Sequence, residues 1–128
     1  MPHRILIIDD DPEVLNTLVA YLGDGLGYHV ETAPNGQQAL ELAMNAPPFD
    51  LAIIDVRMPG ISGTETYMRL KNMSPEMEAL FFTADQDFEK TLDFMRFSLP
   101  PERVLTKPLN DLSLLTRLII GILGPPAC

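Results

Sequence analysis

Four short apolar runs each stop at a polar or charged residue, and these stops constrain the fold more than composition does. Ile5, Leu6, Ile7 and Ile8 run into Asp9, Asp10 and Asp11, while Leu51, Ala52, Ile53 and Ile54 run into Asp55. Ala79, Leu80, Phe81 and Phe82 run into Thr83, and Val104, Leu105 and Thr106 lead to Lys107 and Pro108. An apolar run of about four to eight residues bounded by turn signals fits a strand buried on both faces of a parallel sheet. In open α/β sheets ligands bind at the carboxyl ends of the strands. Acid, acid, hydroxyl and ammonium are thus delivered to one edge. Singly, each has an ordinary role: a helix cap or turn aspartate, a strand-end threonine bonded to local backbone, a solvated lysine before a turn. Their joint arrival is what carries information.

The rest of the chain supplies the layers around these strands. After a strand over 4–9, Pro12 stands at a favoured first helical position behind Asp11, an acid able to cap it. Val14, Leu15, Leu18, Val19 and Leu22 share one helical face, so a helix is expected over 12–22, ended by Gly23, Gly25 and Gly27. A second strand over 28–33 precedes a helix opened by Asn35 and Gly36, with Ala39, Leu40, Ala43 and Met44 turned inward and Pro47 and Pro48 stopping it. Pro59, Gly60 and Gly63 make a loop after Asp55, followed by a helix over 63–73 and a strand over 78–83. A fourth helix is expected over 86–97, with Phe88, Leu92 and Met95 on its inner face, Phe94 at the margin and Phe97 about half a turn away. A strand over 104–107 and a helix over 109–123 complete the chain. In that last helix Leu112, Leu115, Ile119 and Ile122 form the core stripe, leaving Leu114 and Ile120 off it. Five alternating β and α units with short connections require right-handed crossovers and a doubly wound α/β fold with a parallel sheet. We read one domain over 1–123, with 124–128 as a tail or the start of a linker.

Charge and cysteine usage narrow the function. A formal charge of -9 argues against direct nucleic-acid binding, whose affinity comes largely from cations meeting phosphates, and suits a partner that is basic or a cation. Cys128 is the only cysteine, so neither an internal disulfide nor a cysteine-rich metal site is available. The start reaches acids too soon for a signal-peptide core, and no apolar run approaches membrane-spanning length, so a cytoplasmic, non-membrane protein is expected. The sequon at Asn72 is then read as chance. The glycines at 23, 25 and 27 miss the dinucleotide and P-loop spacings and follow a helix. Val14 and Ala20 stand where a calcium loop needs glycine and glutamate, and His3 and His29 serve no identifiable nucleophile.

Converging carboxylates from Asp9, Asp10 and Asp55 repel one another and match the hard-oxygen demand of Mg2+, for which Mn2+ can substitute. With a dication held there, Asp55 is placed as a carboxylate nucleophile toward phosphorus, Lys107 as a neutralising charge and Thr83 as a hydrogen-bond donor. Ala84 is small enough to leave the approach open.

This ordered set of motifs, spread over essentially the whole chain, resembles the receiver domain of bacterial response regulators, the CheY-like family. The resemblance implies a flavodoxin-like (βα)5 three-layer sandwich whose five-stranded parallel sheet has order 2-1-3-4-5. It implies that Asp55 is the phosphoacceptor, that Asp9, Asp10, Asp55 and the backbone carbonyl of Arg57 bind magnesium, and that Thr83 and Lys107 are the switch hydroxyl and the phosphate-binding lysine. The Lys107–Pro108 bond is expected cis. The phosphoryl group would come from a histidine kinase or phosphotransfer protein, the domain catalysing only its own phosphorylation and dephosphorylation. Phosphorylation would switch a partner, output-domain or homodimer surface on the fourth helix, fifth strand and fifth helix, to which Phe97, Phe94, Leu114 and Ile120 would contribute. Two departures stand out: Val104 occupies the usual aromatic position of the fifth strand, and Ser98 to Glu102 replaces the usual Gly-Ala pair. They favour a rival reading, a receiver-fold interaction module that works without phosphorylation. A second rival is a phosphatase like the haloacid dehalogenases, with Asp9 as nucleophile and Asp11 as general acid, although no acid pair follows Lys107 to finish its metal site.

Overall fold

The structure, a computed structural model, describes residues 3–125 of the 128-residue chain. Cys128 and the last residues of the expected tail lie outside the described residues. Among the described residues no helix is long and apolar enough to cross a membrane.

The apolar runs form a single parallel sheet. Its strands are β1 (Arg4–Ile8), β2 (His29–Ala33), β3 (Leu51–Ile54), β4 (Glu78–Thr83) and β5 (Val104–Thr106), in the order β2-β1-β3-β4-β5. This is the order implied by the resemblance. The register aligns the strand ends: Ile8 lies beside Ala33 and Ile54, Ile54 beside Phe81, and Thr83 beside Thr106. Because side chains alternate across a strand, two cores result. Ile5, Ile7, Ile53, Leu80 and Phe82 face α1 (Pro12–Leu18) and α5 (Leu112–Leu123). Leu6, Ile8, Ile54 and Phe81 face α2 (Gly36–Asn45), α3 (Gly63–Met73) and α4 (Leu92–Arg96). The result is the expected three-layer, flavodoxin-like fold.

Side-chain caps set the helix starts. The carboxylates of Asp11 and Asp111, the amide oxygen of Asn35 and the hydroxyls of Ser62 and Thr91 accept from N–H groups of the first turns of α1, α5, α2, α3 and α4 respectively. Each such cap contributes about 1 kcal/mol. Asp111 moves the start of the last helix to Leu112, three positions after the expected 109.

Three expectations are corrected. The first helix does not end at 22 as one α-helix; beyond Leu18 it continues as a π-helical segment over Val19–Gly25, passing Gly23 and ending at Gly25 ahead of Gly27 at φ 84°, with the Leu26 N–H reaching the Tyr21 carbonyl at 3.1 Å. The wider turn keeps Leu22 fully buried while the Tyr21 hydroxyl meets that of Thr116 on α5. Met44 is 64% exposed rather than inward, while Leu42 and Ala43 are the residues of that turn that pack against the core. The expected long fourth helix is broken into a 3-10 turn over Phe88–Lys90 and the short α4, because Thr91 restarts the helix as a new cap.

That break resets the helical phase. Phe88 and Phe94 enter the core, while Leu92 and Met95 stand 74% and 60% exposed. Phe97 is not a projecting surface residue: its ring lies 5.8 Å from that of Phe81 in a stacked arrangement and 4.6 Å from that of Tyr67. Leu114 and Ile120 are off the stripe of α5, as read from the sequence, and are 38% and 37% exposed. Phe97→Ser is therefore expected to destabilise the fold by about 2 kcal/mol, the loss of a partly buried aromatic, in urea unfolding. Ile120→Ser is expected to change the urea midpoint little.

Candidate functional site

The sheet register brings the strand-end residues together. The Asp9 N–H donates to the Ala33 carbonyl, the Asp55 N–H to the Ile8 carbonyl and the Lys107 N–H to the Thr83 carbonyl. Each functional residue thus begins its loop while still anchored by one ladder-like bond. Lys107–Pro108 is cis, as the resemblance implied.

Asp9 is buried and both of its oxygens are engaged. Oδ1 accepts from the Asp11 N–H at 2.9 Å, and Oδ2 accepts from the Lys107 ammonium at 2.6 Å. Asp55, also buried, is held more loosely: its Oδ1 is 3.4 Å from the Arg57 N–H and its Oδ2 is 3.6 Å from the Lys107 Nζ. Asp10 is exposed at the rim. One carboxylate oxygen from each of Asp9, Asp10 and Asp55 lies within 4.8 Å of the others.

Electrostatics follow from this crowding. Burial, then the neighbouring Asp9 carboxylate, pushes the Asp55 pKa up to about 6, against the pull of Lys107. Burial alone would lower the Lys107 pKa, but its hydrogen bond to Asp9 and the charges of Asp55 and Asp9 outweigh this and raise it. When ionised, three carboxylates against one ammonium leave a deficit of two positive charges, the charge of one divalent ion. The all-oxygen donor set and this deficit fit Mg2+.

Thr83 is buried at the same edge and its hydroxyl accepts from the Asp85 N–H at 3.0 Å, leaving its own proton free to donate. Ala84 is exposed, so the approach beside Thr83 is open. The Arg57 side chain points outward, 78% exposed, and pairs with Asp85 at 3.1 Å across the mouth. Sequence reading gave Asp85 no role; its position two residues after Thr83 is the only signal that could have drawn attention to it. Asp11 serves as the cap of α1, accepting from the Glu13 N–H. Neither this acid nor the fully engaged Asp9 is arranged as the phosphatase reading requires.

Fold and edge together define a doubly wound α/β domain presenting a buried carboxylate, Asp55, clustered with two further carboxylates and a lysine at the carboxyl edge of its sheet. The chain belongs to the response regulator receiver domain family, whose model matches residues 5–119. It is 33% identical over 111 residues to the alkaline phosphatase synthesis transcriptional regulatory protein PhoP of Bacillus subtilis, covering 86% of this chain and 44% of that protein. The chain spans less than half the length of this relative and of the transcriptional activator ExaE of Pseudomonas putida. Among solved structures it is similar to the chemotaxis protein CheY4 of Vibrio cholerae, with a TM-score of 0.83 and 28% identity over 96% of this chain and all of that one. The response regulator TrrA of Thermotoga maritima, solved in complex with Mg2+ and BeF, gives a TM-score of 0.80 at 28% identity, covering 94% of this chain and 99% of that one. The protein is therefore a receiver domain of two-component signalling, a family of signalling phosphoacceptors.

Proposed function

We propose that Asp55 accepts a phosphoryl group from the phosphohistidine of a histidine kinase or phosphotransfer protein. The observation that carries this is the contrast between two buried acids: Asp9 has both oxygens bonded, whereas Asp55 has one oxygen only weakly held and lies beside Lys107. An oxygen of Asp55 attacks phosphorus, forming the acyl-phosphate P–O bond. The P–N bond breaks and the imidazole leaves with its electron pair. The Lys107 ammonium neutralises one phosphoryl oxygen and the Thr83 hydroxyl donates to another. Asp9, Asp10, Asp55 and the Arg57 carbonyl would hold Mg2+, which when bound supplies charge neutralisation for the transferring group. Water attack on the acyl phosphate reverses the state, so the domain catalyses its own cycle and acts on no separate substrate.

The functional unit in this reading is 1–123 with 124–128 as a tail, working in the cytoplasm where such kinases present their phosphohistidines. Its output face comprises α4, β5 and α5, with Leu92, Met95, Leu114 and Ile120 exposed on the helices and available to an output domain or a second copy. Phe97 is withdrawn from that face.

Prompt intact-mass measurement after incubation with phosphoramidate tests the proposal. The parent is expected to gain one phosphoryl group with Mg2+ and none with a chelator, and Asp55→Asn to gain none under either condition. No gain in the parent despite measurable Mg2+ binding would sink the phosphoacceptor role. It would favour the phosphorylation-independent module, for which the specific observation is the rebuilt approach to β5. There a 3-10 turn over Pro101–Arg103 follows Ser98, a non-glycine residue at φ 54°, and Val104 is half-buried against the Phe81 cluster. A phosphoryl group on Asp9 would instead revive the phosphatase.

A further inference from the structure

The chain has nine lysines and arginines among eighteen acids, so most cations should find a carboxylate. Arg4, Arg57, Arg69, Lys90, Arg103 and Lys107 do. Among the described residues the exceptions are Lys71, Arg96 and Arg117, and two of these three line the same groove between α3 and α4, about 540 Å³ in volume. Arg69 stands on the same rim, paired with Glu65 at 3.3 Å. Three cations against one acid give the groove a local excess of two positive charges on a protein whose net charge is -9. Lys71 is half-buried and its ammonium is bonded to a neutral group, the Met77 carbonyl, at 2.6 Å, which leaves it without a counter-charge.

The groove also has an apolar floor. Tyr67 is buried and Phe97 half-buried, with ring centroids 4.6 Å apart, and Met68, 45% exposed, flanks them. A thioether is an adaptable wall for an incoming apolar side chain. The aromatic pair is packed into the core rather than standing free, so it receives one apolar group and does not serve as a stacking platform for bases.

We infer that the α3–α4 groove docks an acidic peptide segment of a partner protein, with one apolar side chain set on the Tyr67–Phe97 floor and its carboxylates on Arg96, Lys71 and Arg69. A long polyanion is disfavoured because the remaining surface is strongly acidic and repels it, whereas a short acidic segment meets the local excess. The inference is independent of phosphorylation at Asp55, and the groove lies on the α3 side of α4, away from β5 and α5 in its lining.

The test is fluorescence anisotropy on the full unphosphorylated chain with a short fluorescein-labelled peptide of Asp, Glu and Ser around one central Leu. Saturable binding that weakens with added salt is expected. Arg96→Glu and, separately, Lys71→Met are expected to weaken it by about tenfold or more, the order of loss when one desolvated charge partner is removed. Arg117→Glu changes the net charge as much as Arg96→Glu and is expected to leave binding close to the parent's. Replacing the peptide's Leu by Ser should also weaken it. The inference is overturned by absence of saturable binding, by equal weakening in Arg117→Glu, or by equal affinity of the Ser peptide. Preferential binding of a labelled oligonucleotide would likewise overturn it, as would concentration-dependent self-association abolished by Arg96→Glu, which would make a second copy the occupant.

Discussion

Gly63→Ala is expected to destabilise the fold by about 3 kcal/mol or more and to lower magnesium-dependent phosphoryl uptake together with stability. Gly63 is the first residue of α3, and its N–H donates to the Val56 carbonyl at 2.9 Å, so the helix start is pinned against the backbone just after β3. A Cβ at Gly63 would overlap the Asp55 carbonyl oxygen and come within 2.7 Å of the Val56 Cα and 2.8 Å of the Asp55 carbonyl carbon. These are backbone atoms, which cannot rotate away as a side-chain tip can. Relief therefore requires α3 to withdraw or the Asp55 peptide to move, and the second displaces the proposed phosphoacceptor itself. Gly121→Ala is the matched control. It lies within α5 with nothing within 4 Å of the added methyl, so it is expected to raise stability slightly, by about 0.5 kcal/mol, through helix propensity. Urea unfolding separates the two, and Gly63→Ala within 1 kcal/mol of the parent would show that the helix start accommodates a methyl group, by the usual size of an overpacked contact.

Legibility in the sequence followed the length over which a physical pattern is sustained. The apolar runs of β1, β3 and β4 are continuous because both faces are buried, so the strands and the residues at their ends could be read directly; helix α3 and strand β4 fall on the expected 63–73 and 78–83. Asp9, Asp10, Asp55, Thr83 and Lys107 meet at one edge because parallel strands in register must end together. The fourth helix departs from its expected 86–97 because its apolar residues fit two phases. Thr91 looked like an interior residue of one amphipathic helix, yet its hydroxyl accepts from the Phe94 N–H and opens a second one. Once the phase is reset, Phe94 and Phe97 exchange places with Leu92 and Met95 between core and surface. The π-helical segment after α1 was hidden for a similar reason: three glycines weaken any helix, but the Leu22 anchor and the Tyr21–Thr116 contact are tertiary and leave no local mark. Asp85 was overlooked because its partner, Arg57, lies on another loop.

Asp55→Asn is expected to abolish phosphoryl uptake and yet make the metal-free protein more stable at neutral pH. The folded-state pKa of Asp55 is raised from 3.8 to about 6, by burial first and by Asp9 second. Its protonated form is therefore favoured by folding. That contribution is fully present below the unfolded pKa and is lost as pH rises through about 6, so ionised Asp55 works against the fold at neutral pH. An amide removes the ionisation. The variant should gain on the order of 2 kcal/mol over the parent above this window, somewhat below the full linkage value because the rim at Asp10 is open to water. The gain should shrink as pH falls below about 6 and vanish well below 3.8, where the parent's Asp55 is protonated in both folded and unfolded chains. Saturating Mg2+ should reverse the comparison by stabilising the parent's three-carboxylate site more than the variant's, since a ligand that binds only the folded chain adds stability as its concentration exceeds its dissociation constant. Thermal unfolding of both proteins across this pH range, with chelator and with Mg2+, makes the check. A chelated variant no more stable than the parent at neutral pH would mean that Lys107, 3.6 Å from Asp55, already neutralises the carboxylate fully, and the crowding of acids would then not be what draws the cation.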